Sequence, residues 1–234
     1  MALPASEVFR LSVSDDVAIT VKLDTPDSPR PQAPLLIMAH GANNDLDFPL
    51  LVHMATRLPE LVGASIVRFN FPYVERGVTS PDARPVLENA YTRVYDEVVG
   101  RYADTNTPVF IGGKSLGGRT AAELVSRGRE GAGLEAVGLI ILGYPLHAPG
   151  HKERLFLDPI RHIDIPSLFC IGSRDPLCDP SLLKPVLADL EVPGTLFVVK
   201  DGDHSLHLPR SRSRQPDDSY EPVTLRIADF MLRV

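Results

Sequence analysis

Cysteine is nearly absent: Cys170 and Cys178 are the only two in 234 residues. Two thiols cannot make the disulfide framework that staples small secreted domains, and Cys170 lies inside an apolar run, so both are read as reduced. No apolar stretch approaches the ~20 residues of a membrane-spanning helix. The first ten residues lack a basic start followed by a long apolar segment, so no signal peptide is expected. Basic charge is not in excess either. Lys and Arg number 24 against 30 Asp and Glu, a net charge of −6, and the pI near 5.6 argues against a nucleic-acid surface. These absences predict a cytoplasmic protein with no nucleic-acid and no membrane partner. Without repeats or a composition break, residues 1–234 read as one α/β domain.

What is present is a regular alternation of apolar runs and amphipathic segments. Glu7–Val13 and Val17–Leu23 alternate apolar and polar residues around Asp15-Asp16, as an antiparallel hairpin with one solvated face does. Leu35–Ala39 is continuously apolar, the mark of a strand covered on both faces. Further strands are predicted at Ala64–Phe69, from Val109, at Ala136–Leu142, at Ser167–Ile171 and at Thr195–Val199. Helices are predicted over Phe48–Leu58, Val86–Tyr102, Arg119–Val125, Ser181–Leu190 and Tyr220–Val234. In the second of these, Leu87, Tyr91, Val94, Tyr95 and Val98 share one stripe. The last carries Leu225, Ile227, Phe230 and Met231 on its apolar side. From Leu35 onward the pattern predicts a mostly parallel sheet with helices on both faces. Gly143–Ile165 is broken by prolines and too short for a large lid, and Pro209–Ser219 reads as a polar loop.

The strand from Val109 ends in Gly113-Lys114-Ser115-Leu116-Gly117, which fits the nucleophile elbow G-x-S-x-G. A serine at the tip of a sharp strand-to-helix turn has a strained backbone and an exposed hydroxyl. The glycines two before and two after avoid clashes with neighbouring backbone. Gly-Lys-Ser also ends the P-loop pattern, but the first glycine of that pattern would fall on Pro108, which removes the match.

A serine nucleophile needs a base, and the base needs an orienting acid. In the elbow-bearing fold the chain order is Ser, then Asp or Glu, then His, each in a loop after a strand. Asp175 follows the strand ending at Ile171, and His204 follows the one ending at Val199. Asp179 and His207 are the competing positions. A metal site from Asp201, Asp203, His204 and His207 lacks a recognised ligand spacing. Oxyanion donors are expected from the backbone N–H of Leu116 and of Ala42, with Gly41 and Asn43 as alternatives to Ala42. His40, Asn43, Lys114 and Tyr144 are candidates for the substrate pocket, with a loop-holding role the alternative for His40.

The segments Met38–Ala42, Arg68–Tyr73, Gly112–Arg119, Leu142–Leu146, Gly172–Asp175 and Gly202–Leu206 together resemble a small α/β-hydrolase family. That family includes the testis-expressed hydrolase-like proteins and a regulatory subunit of the NSL histone-acetyltransferase complex, and it is akin to dienelactone hydrolases. The resemblance implies the α/β-hydrolase fold, with nucleophile, acid and base at Ser115, Asp175 and His204. It implies a carboxylesterase- or thioesterase-like serine hydrolase with a small-molecule acyl substrate, no cofactor and no metal. Dienelactone hydrolases use a cysteine nucleophile where this chain has Ser115. The chromatin-associated member gives the alternative, a dormant hydrolase fold serving as a protein-interaction module.

Overall fold

The computed structural model describes residues 5–28, 32–127, 133–209 and 219–234. Its centre is an eight-stranded sheet in the order β1-β2-β4-β3-β5-β6-β7-β8. The strands are β1 (Ala5–Ser14), β2 (Val17–Thr25), β3 (Leu35–Ala39), β4 (Ser65–Phe69), β5 (Val109–Lys114), β6 (Gly138–Leu142), β7 (Ser167–Gly172) and β8 (Thr195–Val199). The first two form the expected hairpin, and β2 joins β4 antiparallel. All pairings from β4 to β8 are parallel. Continuous apolar runs such as Leu35–Ala39 fill these strands because both faces are covered.

The helices are α1 (Pro49–Val62), α2 (Pro72–Glu75), α3 (Arg84–Tyr102), α4 (Leu116–Ser126), α5 (Pro180–Ala188) and α6 (Tyr220–Arg233). One face of the sheet packs on α3, α4 and α5 through residues such as Tyr91, Val94, Ala121 and Leu183. The other packs on α1 and α6 through Leu50, Met54, Leu58, Ile227 and Phe230. Chain order reverses between β3 and β5, so a crevice opens at their carboxyl ends, where ligands bind in open α/β sheets.

Several boundaries differ from the sequence reading. Helix α1 runs through Pro59 to Val62, because the burial of Leu58, Pro59 and Val62 outweighs the one backbone bond proline removes. The stretch expected as loop before Pro85 contains α2, and α3 begins two residues earlier than expected, at Arg84. In α6, Leu225 is exposed, and the buried stripe is instead Val223, Ile227, Phe230 and Met231. No helix interrupts 143–166, so there is no large lid. The polar loop expected at Pro209–Ser219 lies outside the described residues for 210–218. No helix among the described residues is long and apolar enough to cross a membrane.

Candidate active site

Strand β5 delivers Ser115 to the crevice. The residue sits between β5 and α4 with φ 49° and ψ −108°, a conformation that costs a non-glycine residue of order 1–3 kcal/mol. Its N–H donates to Leu142 O at 2.9 Å, which ties the turn to β6. The turn is so tight that a Cβ on Gly113 would stand 2.6 Å from Ala39 O, and one on Gly117 2.4 Å from the same oxygen. Beneath it, the Tyr91 hydroxyl from α3 accepts from Gly112 N and lies 2.8 Å from both Ile37 O and Gly112 O. It pins β3 to β5 below the elbow. Sequence reading placed Tyr91 in a core stripe and gave no sign of this bond.

His204 lies in the loop after β8. Its Nε2 is 2.9 Å from Ser115 Oγ and its Nδ1 is 2.8 Å from Asp175 Oδ2. The Asp175 side chain is fully buried, and its second oxygen accepts from Leu177 N at 2.8 Å. An ionised Asp175 can only accept, so Nδ1 carries the proton and Nε2 faces the serine hydroxyl as an acceptor. Asp203 holds the loop by accepting from the N–H groups of Ser205 and His207.

The competing residues are occupied elsewhere. Asp179 caps α5, accepting from Ser181 N at 3.0 Å and from Lys152 Nζ at 2.6 Å. The bond from Lys152 and those from Ser181 hold its carboxyl down at about 2. His207 bonds the Tyr220 hydroxyl with Nε2. Among the described residues no group of three or more His, Cys, Asp or Glu is arranged to hold a metal ion.

The turn after β3 faces the elbow. Gly117 N–H donates to His40 O at 3.1 Å, locking the two loops together. Leu116 opens α4, so its N–H has no intrahelical acceptor. Among the described residues, neither it nor the Ala42 N–H donates to another backbone group in the turns and loops. His40 is not a pocket residue: it is completely buried, because aromatic neighbours Phe71 and Tyr73 close over it. Its Nε2 accepts from Phe71 N at 3.0 Å, so Nδ1 bears the proton and donates to Gly41 O at 2.8 Å. Burial holds its pKa below the usual histidine value.

Of the other pocket candidates, Tyr144 is also fully buried, because its hydroxyl turns inward to Phe156 O. Asn43 is exposed at φ 57° and lines a pocket of about 460 Å³ with Asn44, Phe48, Tyr73 and Val78. Lys114 extends to the opposite side of the strand from Gly113, under the loop at Gly41.

The family model of an α/β hydrolase domain matches residues 32–232. The fold resembles that of a dienelactone hydrolase from Anabaena variabilis, at 16% identity over 99% of both chains with a TM-score of 0.72. Est1E from Butyrivibrio proteoclasticus, also solved with ferulic acid bound, is similar at 15% identity, 97% of this chain, 98% of that one and a TM-score of 0.73. A lidless α/β serine hydrolase from Xanthomonas campestris shares 19% identity over 97% of this chain and 94% of its own, with a TM-score of 0.71. With the model spanning all but the β1–β2 hairpin and the extreme carboxyl end, the chain belongs to the α/β hydrolase domain family.

Proposed function

We propose that this protein is a lidless serine hydrolase of small esters, thioesters or related acyl compounds, acting in the cytoplasm as one domain over residues 1–234. Within its family we place it in the subgroup of the testis-expressed hydrolase-like proteins. The observation that carries the reading is the unbroken run from Ser115 Oγ through His204 to a buried Asp175, at 2.9 and 2.8 Å. In the scheme, Ser115 Oγ attacks the substrate carbonyl while His204 Nε2 takes its proton. Asp175 stabilises the imidazolium, and the N–H groups of Leu116 and Ala42 receive the oxyanion. The imidazolium then protonates the leaving oxygen or sulfur as the acyl–heteroatom bond breaks. Water, deprotonated by His204, attacks the acyl-serine and releases the acid and free Ser115.

The test is steady-state and pre-steady-state hydrolysis of p-nitrophenyl esters by the native protein, Ser115→Ala and Asp175→Asn. Asp175→Asn removes the acceptor that fixes the His204 tautomer and is expected to lower kcat by roughly 10³–10⁴. Ser115→Ala is expected to abolish the burst of nitrophenolate. Equal turnover by all three proteins would refute the assignment.

A further inference from the structure

Lys114, the residue before the nucleophile, is a buried cation that the hydrolytic scheme does not use. It ends β5 on the side of Phe110, facing the α1 and α6 layer, and is only 5% exposed. Its Nζ lies 5.2 Å from the centre of the Phe48 ring. It also comes within 3.2 Å of where a Cβ on Gly41 would stand, which puts the ammonium under the loop bearing the Ala42 N–H. Asn44 Oδ1 approaches the same point to 3.1 Å and is itself buried without a hydrogen bond.

No acidic side chain among the described residues pairs with this ammonium. Asp175 and Asp203 act on it at longer range, and both are engaged by other groups. Burial therefore depresses its pKa. A buried charge without a partner is costly, and the Phe48 ring offsets only part of that cost. An apolar side chain would have continued the surface of Phe110 and Leu142 without it. Among the described residues, Asn44 Oδ1, Asp82 Oδ2 and Ser167 Oγ are fully buried without a hydrogen bond. Lys114 itself keeps 5% of its surface exposed.

We propose that Lys114 receives a carboxylate of the substrate, so that the site prefers small anionic esters or thioesters. This rests on the serine hydrolase reading above. The chain's net charge of −6 offers anions no long-range attraction, so selection falls to this short-range contact, which low dielectric strengthens. The carboxylate can belong to the acyl part or to the leaving alcohol, and both present the same chemistry to Nζ.

Two pairs of esters separate these cases. Mono-p-nitrophenyl adipate beside p-nitrophenyl hexanoate tests the acyl side, and 4-acetoxybenzoate beside its methyl ester tests the alcohol side. The native protein is expected to favour the charged member of one pair in kcat/KM by at least about tenfold, and Lys114→Met to lose about that factor through KM. Lys114→Arg keeps the charge and is expected to retain the preference, which holds the test open if the Met variant fails to fold. Turnover of the neutral esters with no preference for either charged one overturns the proposal and leaves the hydrolase reading standing. Equal loss on charged and neutral esters in Lys114→Met also overturns it, because the ammonium then acts on the reacting centre. No turnover of any ester, with Ser115 unreactive to an acylating probe, counts against the hydrolase reading itself.

Discussion

The C=O of Gly41 and the N–H of Ala42 belong to one peptide group and point in opposite directions. His40 Nδ1–H holds that carbonyl at 2.8 Å, so the imidazole sets where the Ala42 N–H aims. Replacing His40 with Ala removes both of its hydrogen bonds. Gly41 O keeps the Tyr73 hydroxyl at 3.4 Å as a donor, but Phe71 N–H loses its acceptor. An orphaned buried N–H costs about 1–3 kcal/mol. The space left by a completely buried ring adds roughly 2 kcal/mol. The sum, about 3–5 kcal/mol, corresponds to a drop in Tm of roughly 6–20 °C for a chain of this length. If the freed peptide rotates, the proposed oxyanion donor at Ala42 is lost and kcat is expected to fall on the order of 10²–10³ with KM little changed. Urea unfolding and ester kinetics below the melting range measure the two effects separately. A His40→Ala protein that loses stability but keeps its native kcat would refute the reasoning, because the Ala42 N–H would then not depend on this clamp.

Three further outcomes follow from the same geometry. His40 is held below its unfolded pKa of about 6.5 by burial, so the unfolded chain binds the proton first. Stability conferred by the neutral ring is complete above that value and is lost as pH falls from there towards the folded pKa, by at most about 1.4 kcal/mol per pH unit. Urea midpoints between pH 7.5 and 5 should show this fall, and less of it in His40→Asn. Gly117→Ala would press a methyl to 2.4 Å from Ala39 O and 2.6 Å from His40 O. Since both contacts are backbone, we expect a loss of about 1–3 kcal/mol together with most of the activity, read by denaturation and kinetics. Cys170 and Cys178 are buried, and burial pushes the Cys170 thiol up to about 12 and raises that of Cys178 as well. Neither should react with a disulfide reagent at pH 8 in folded protein, and both should react in denaturant.

Local signals made much of this architecture readable. Leu35–Ala39 is uniformly apolar and is strand β3 with the same bounds. The stripe on Leu87, Tyr91, Val94 and Val98 is the buried side of α3. The elbow spacing carries its own steric reason, and the Gly113 and Gly117 contacts display it. What escaped depends on partners distant in sequence. Nothing near Tyr144 announces that its hydroxyl turns towards Phe156 O and away from the crevice. His40 reads both as a residue that holds its loop and as a pocket candidate, and only the closure of Phe71 and Tyr73 over it separates the two. The burial of Lys114 did have a signal, since period-two alternation along β5 puts it on the face of Phe110. Its lack of a partner only three dimensions could reveal. The helix expected to end at Leu58 is carried by tertiary burial through Pro59 to Val62.

Activation of Ser115 by His204 is tested most directly by intact-mass analysis after exposure to a fluorophosphonate. One adduct per chain is expected in the native protein, none in Ser115→Ala, and greatly slowed labelling in His204→Ala. A folded native protein that stays unmodified, or one labelled equally well without Ser115, would contradict it.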